Sequence, residues 1–178
     1  ARALAGRFGA PADGDARQIG YEAAGLSVTV ELHNEFATIT WVAPYDDWTV
    51  WPEGIGLDLF AGMPLIAAAR LDMTDGREIS AAALTGFSPQ SLCYSHIFGG
   101  RAQIATDFVT GPDGFTRFEI AAGASGGLTR GVIARRLFEI ETYRCLTLLG
   151  LPLARSLAPK ARAQETRLSE LMSGLSGG

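Results

Sequence analysis

The chain has 178 residues, of which 47% are hydrophobic and 19% charged, and its formal net charge is −4. This length and apolar content favour a compact soluble domain with a buried core and argue against a disordered chain. The acidic total and the lack of interleaved basic and aromatic residues argue against a nucleic-acid-binding surface, so we expect no nucleic acid as partner.

The first 25 residues differ in composition from the rest of the chain. Residues 1–25 are rich in Ala, Gly and Arg and contain few large apolar side chains. Such a segment buries too little apolar surface to offset the entropy that is lost on ordering. We therefore predict a flexible tail or linker over residues 1–25.

The segment from Leu26 to Ala122 has the patterning of β-strands. Residues 26–32 and 36–43 alternate apolar and polar side chains around a turn at residues 33–35. Residues 102–109 and 115–121 flank Gly-Pro-Asp-Gly at 111–114, which is a strong hairpin signal. With a further strand at residues 65–73, the pattern predicts about five strands, mainly antiparallel. Tyr45, Trp48 and Trp51 lie in an irregular passage and are expected to pack against the strands.

A long charged helix is predicted over residues 128–149. No Pro interrupts this range, and the charges at its centre argue against insertion into a membrane. Spacings of three and four residues allow ion pairs within the pairs Arg135–Glu139, Arg136–Glu139 and Glu141–Arg144. Leu137 and Ile140 lie on an apolar stripe that we expect to pack onto the sheet.

The end of this helix and the fold class follow from the remaining residues. Gly150 and Pro152 are expected to end the helix, and a second helix is predicted from Lys160 to Met172, after Pro159. The predicted fold is α+β, a mainly antiparallel sheet of about five strands packed by a long C-terminal helix plus a second helix. Residues 26–158 would form the soluble domain, and residues 159–178 a helical extension with a terminal linker.

The helix sequence from Gly131 to Arg155 carries a recognisable pattern. It resembles domain-of-unknown-function family 3422, a bacterial family described as predicted membrane-anchored proteins. Positions in the helix match the family at Gly131, Arg136, Leu137, Glu139, Ile140, Glu141, Thr142, Tyr143, Arg144, Leu151, Pro152 and Ala154. Upstream positions match in the same order at His33, Glu35, Phe36, Ser95, Gly100, Ala102, Asp107, Phe108, Gly114, Phe115 and Arg117.

The resemblance implies a cellular setting. It implies membrane contact through a segment that this chain does not contain. Residues 1–129 carry seven basic and fifteen acidic side chains, a balance of −8, whereas residues 130–178 carry eight basic and four acidic, a balance of +4. A basic flank favours the cytoplasmic side of a membrane, although a solvated helix face explains it equally well. We expect a soluble domain at the cytoplasmic face of the inner membrane.

The candidate functional residues form two sets. Arg136, Glu139, Glu141, Tyr143 and Arg144 are the signature side chains of the helix and the candidates for partner binding. A second set could bind a metal ion, since its imidazole and carboxylate groups are common ligands: His33, Glu35, His96 and Asp107. A hydrogen-bonded turn around His33 and an ordinary half-buried His96 explain the same residues without a metal.

Two functions are compatible with these residues. The first is a non-catalytic interaction, assembly or regulatory domain of a membrane-anchored bacterial protein, with a protein partner or a second copy bound through the C-terminal helices. The alternative is a metal-dependent enzyme, or the ion-sensing domain of a channel-like protein, that uses the four metal candidates. The sequence lacks a Ser nucleophile motif and a phosphate loop, so we lean away from an enzyme and predict no cofactor. Cys93 and Cys145 have no zinc spacing and are expected to be reduced thiols in the core.

Overall fold

The computed structural model describes residues 2–10, 17–44 and 51–176. These residues form seven strands, three α-helices and a short 3-10 turn at Leu57–Phe60. The helices are α1 (Arg2–Phe8), α2 (Ala81–Leu84) and α3 (Gly127–Ser176). The strands are β1 (Gln18–Ala23), β2 (Leu26–Leu32), β3 (Ala37–Val42), β4 (Ala69–Thr74), β5 (Cys93–Ile97), β6 (Ala102–Thr106) and β7 (Thr116–Ala121).

The first sheet contains β1, β2 and β3 in that order, and both pairs are antiparallel. Val28 and Val30 of β2 are buried because alternate side chains of a strand point to the same face. They pack with Ile19 and Tyr21 of β1 and with Leu4 of α1. The strands predicted at residues 26–32 and 36–43 are therefore present.

The predicted tail over residues 1–25 contains regular structure that we did not expect. β1 lies within it, and Ile19 and Tyr21 are only 2% and 9% exposed. The hydroxyl of Tyr21 donates to the backbone carbonyl of Ile55 at 2.7 Å. β1 forms because these two apolar residues, two positions apart, supply one buried face of a strand.

The second sheet has the strand order β4-β7-β6-β5. The pairs β5–β6 and β6–β7 are antiparallel. The β6–β7 pair confirms the hairpin signal at residues 111–114. β4 pairs with β7 in the parallel direction, with Ala69 opposite Thr116. The prediction of about five strands in one antiparallel sheet is thus wrong in detail, whereas the α+β class is confirmed.

The second sheet is covered on both faces. On one face, Phe118 and Ile120 of β7 pack with Ile133 and Leu137 of α3. On the other face, Ala105 and Ala121 pack with Ile79 and Phe87, which flank α2. β7 therefore lies at the centre of the second sheet and contributes to both cores.

Three aromatic side chains connect the two sheets. The ring of Trp41, on β3, lies 6.3 Å from the ring of Phe115, which immediately precedes β7. Trp51 lies 4.6 Å from Phe115 and 6.2 Å from Trp41, centroid to centroid. Trp51 thus packs as expected, and Tyr45 and Trp48 lie outside the described residues.

Helix α3 is longer than predicted, because Gly150 and Pro152 do not end it. It runs without a break through Pro152 and Pro159 to Ser176, so the second helix predicted after Pro159 is part of the same helix. A Pro inside a helix leaves the carbonyl four residues earlier without its backbone donor. All residues from Thr147 to Ser173 are exposed, so water can hydrogen-bond to those carbonyls.

Candidate functional site

The carboxylate of Glu141 is the most buried charged group of the signature helix. Glu141 is 1% exposed and lies one turn after Leu137, on the face of α3 that rests on the second sheet. Arg144 donates to it from both Nε and Nη2, each at 2.7 Å. This pair was expected from its spacing, but its burial was not.

Two further contacts hold this ion pair in place, and a third supports one of them. The side chain of Thr116, at the start of β7, hydrogen-bonds to Glu141. The guanidinium of Arg144 lies 5.4 Å from the centre of the Phe108 ring, and that ring packs edge-on against Phe118. The pair therefore connects α3 with both ends of the loop that joins β6 and β7.

Burial and ion pairing act on the pKa of Glu141 in opposite directions. Burial alone would raise it, but the hydrogen bonds from Arg144 and Thr116 outweigh burial and lower the pKa below 4.5. The Cys145 thiol lies 3.5 Å from Oε1 of Glu141, and burial together with this negative charge raises the pKa of the thiol. Glu141 is thus a weak base and Cys145 a poor nucleophile at neutral pH.

The other signature side chains lie on the solvent side of α3. Glu139 accepts from Arg135 Nε at 3.0 Å and from Arg136 Nη1 at 2.9 Å. Tyr143 is 64% exposed. The hydrogen bonds from Arg135 and Arg136 lower the pKa of Glu139. A depression open to solvent runs along this side and is lined by Arg136, Glu139, Ile140, Tyr143, Arg144, Thr147 and Leu148.

A second charged cluster lies on the opposite face of the second sheet. Arg70 Nε donates to Asp72 Oδ1 at 2.7 Å, Arg117 Nε donates to Asp72 Oδ2 at 3.1 Å, and Arg117 Nη2 donates to Glu119 Oε2 at 2.7 Å. The two carboxylates are 6% and 3% exposed. The parallel register places Asp72 next to Glu119.

The sequence contained a signal for this cluster that we did not use. Each of the two strands carries Arg and an acid two positions apart, which places both groups on one face of the strand. Burial raises the pKa of Glu119, against the opposing effect of Arg117. Because arginines contact both carboxylates, the cluster is built as a structural ion-pair network rather than as an open acid–base pair.

The four metal candidates lie in different parts of the fold. His33 is in the β2–β3 turn, where its ring stacks on Phe36 at 4.4 Å and its Nε2 lies 3.3 Å from Thr38 Oγ1. Glu35 is exposed in the same turn. This turn belongs to the first sheet.

The other two metal candidates belong to the second sheet. Nε2 of His96, on β5, lies 3.2 Å from Nε2 of Gln103, and Asp107 accepts from the backbone amides of Ser88 and Val109 at 2.8 and 3.0 Å. Within residues 2–10, 17–44 and 51–176, no three His, Cys, Asp or Glu residues come together as metal ligands. The structure therefore does not bring the four candidates into one site.

The distal part of α3, from Thr147 to Ser173, is exposed along its whole length. It carries large apolar side chains that are 37% to 64% exposed: Leu148, Leu149, Leu151, Leu153, Leu157, Leu168, Leu171 and Met172. Among the described helices, none is both long enough and apolar enough to cross a lipid bilayer. No other element of the described chain covers these side chains.

Comparison with known proteins identifies the family but no characterised relative. No curated protein and no solved structure matches the chain. A family model described as "Protein of unknown function (DUF3422)" matches residues 2–177, which confirms the resemblance noted in the helix sequence. The chain belongs to the DUF3422 family of proteins of unknown function.

Proposed function

We propose that this chain is a non-catalytic interaction and assembly domain of a membrane-anchored bacterial protein, and that the distal part of α3 is its binding element. The observation that carries the proposal is the exposure of this helix from Thr147 to Ser173. Only the first half of α3 packs on the sheet, through Ile133, Leu137 and Glu141. A helix that leaves this many large apolar side chains exposed is typical of a protein-binding element.

The sheets and the buried ion pairs would then serve as the rigid base of this helix. Glu141 and Arg144 fix the last packed turn of α3 before the helix leaves the sheet. In both buried clusters the carboxylates form ion pairs with arginines, so neither cluster offers a free carboxylate as a general base. This supports a binding role over a catalytic one. A rigid base aims the exposed helix in one direction, and that lowers the entropy lost on binding.

The membrane setting is part of the same proposal. It is supported by the excess of basic over acidic side chains in residues 130–178, which suits the cytoplasmic face of the inner membrane. We expect fractionation of the producing cells to recover the native protein with the inner membrane. Recovery in the cytosol, without membrane, would remove this part of the proposal and leave the interaction role intact.

Site-specific photo-crosslinking in the producing cells tests the interaction role. A photoreactive residue at Leu168 lies on the apolar side of distal α3, and one at Thr166 lies about 160° away around the same helix. We expect cross-linked protein adducts from position 168 and few from position 166. Equal yields, or none from either position, would contradict the proposal. Mass spectrometry of the adducts distinguishes a second copy of this chain from a different protein.

A further inference from the structure

We propose that distal α3 binds a second copy of this chain as a parallel, in-register two-stranded coiled coil. This inference rests on the proposed function and names the partner. The contacting surface, here called the distal seam, is formed by residues spaced alternately by four and three: Gly150, Ala154, Leu157, Ala161, Gln164, Leu168 and Leu171. This alternation continues for three heptads, over about 33 Å of helix.

The distal seam faces away from the sheet on which α3 rests. At about 100° per residue, Leu157 lies roughly 160° around the helix from Leu137. Leu137 is 7% exposed because it contacts the second sheet, whereas Leu157 is 48% exposed. The second sheet therefore lies on the opposite side of the helix from the distal seam and leaves the seam open to a second copy of the chain.

Charges on either side of the seam favour a second copy in the parallel direction. Lys160 and Arg167 flank the seam on one side, and Glu165 flanks it on the other. In a parallel pair, the side of one helix that carries Lys160 faces the side of its partner that carries Glu165. By symmetry, the dimer then contains two contacts between Lys160 and the partner's Glu165. In an antiparallel pair centred on the same heptads, Lys160 would lie against a second basic side chain, the partner's Arg167.

Gln164, the polar residue of the distal seam, also favours the parallel direction. Gln164 is exposed in the single chain, with its amide in water. In the parallel, in-register pair it lies opposite the partner's Gln164, and two amides can hydrogen-bond to each other. An antiparallel pair would place it against the methyl group of Ala161 and leave a buried amide without a partner, which is unfavourable.

The test is the association of the full chain, measured by sedimentation equilibrium at several protein concentrations. The wild type is expected to form dimers, and Lys160→Glu and Glu165→Lys are each expected to raise the dimer dissociation constant roughly tenfold or more, because each creates two like-charge contacts. Mixing the two variants should restore the dimer as a heterodimer, since both symmetric contacts then pair Glu with Lys. High salt should reduce these differences.

Arg162 provides a matched control on the same helix. Arg162→Glu changes charge equally but lies on the outer side of the helix, so it should leave the dissociation constant unchanged. A wild type that stays monomeric at all concentrations would overturn the dimer. Tighter association of Lys160→Glu would overturn the parallel direction, because the partner's Arg167 then attracts it. If either result occurs while Leu168 still cross-links to a different protein in cells, the proposed function survives and only this inference fails.

Discussion

Arg144 binds the carboxylate of Glu141 with two nitrogen atoms, each 2.7 Å from an oxygen, and the two residues are only three positions apart on one helix. Helical pairs at this spacing are usually solvated, but here the Glu141 side chain is 2% exposed. The sheet below removes water from the carboxylate, so Arg144 and Thr116 replace that water. The pair is therefore a packing element of the domain.

Removing the Arg144 side chain should strongly destabilise the folded domain. Arg144→Ala leaves a buried carboxylate with fewer donors, and we expect the free energy of unfolding to fall by about 3–5 kcal/mol. Arg135→Ala is the matched control, because the Arg135–Glu139 pair has the same chemistry on the solvent side and should lose under about 1 kcal/mol. Urea unfolding of both variants measures the difference. Similar losses would mean that burial of Glu141 does not matter.

The same carboxylate should make stability depend on acid pH. Its pKa is below 4.5 in the folded chain, so the unfolded chain takes up the proton first as pH falls. The stabilisation by this carboxylate is fully present above about pH 4.5, and it is lost as the pH falls through the lowered pKa of the folded state. Glu141→Gln should cost about 1–3 kcal/mol at neutral pH, and its difference from wild type should shrink at acid pH. Thermal unfolding from neutral to acid pH checks this, and a pH-independent difference would contradict it.

The two apolar residues that we expected on the sheet-facing stripe should behave differently. Leu137 is 7% exposed, but Ile140 is 52% exposed, so the prediction that Ile140 packs onto the sheet is wrong. Leu137→Ala should lower the free energy of unfolding by about 2–5 kcal/mol, since it opens a cavity against the sheet. Ile140→Ala removes a similar side chain from the solvent side and should change it by about 0.5 kcal/mol at most. Denaturant midpoints of the two variants give the comparison.

Gly56 and Gly62 allow backbone strain to be separated from crowding. Their φ angles are +92° and +89°, a left-handed region that costs a side chain about 1–2 kcal/mol. A Cβ at Gly56 would lie 2.9 Å from a Phe8 ring atom and 3.1 Å from Leu4, whereas a Cβ at Gly62 meets nothing within 4 Å. We expect Gly56→Ala to be less stable than Gly62→Ala by about 1–3 kcal/mol. Equal melting temperatures would show that α1 is not held against this turn.

Much of the fold could be predicted because local signals agree with it. The alternation in β2 and the turn residues at 111–114 identify their strands and the hairpin. β5 was missed because this edge strand is mostly exposed and lacks an apolar face. The parallel pairing of β4 with β7 was missed because no local pattern in β4 specifies its distant neighbour.

The candidate site could be predicted only in part, for a related reason. Spacing alone suffices to pair Glu141 with Arg144, because both lie on one helix. Burial of that pair depends on Thr116 and Phe108, which are distant in sequence. The Asp72–Arg117 contact likewise depends on strand order, which the sequence did not reveal.

The end of α3 was also mispredicted. The helix continues past Pro152 because solvent exposure removes the usual cost of an interrupted hydrogen bond.

The position of β7 between β4 and β6 also determines the order in which the second sheet can form. Among the strands of the described chain, β4 pairs with β7 alone, and β7 follows β4 in the chain only after β5 and β6. Pairing β5 with β6, or β6 with β7, closes only a short loop. Pairing β4 with β7 closes a long loop and is therefore the slower step. Pulsed hydrogen exchange during refolding should therefore protect β6 amides before those of β4. Until β7 has left the ribosome, β4 of a nascent chain lacks its partner strand, and an unpaired strand is a site at which chains can aggregate.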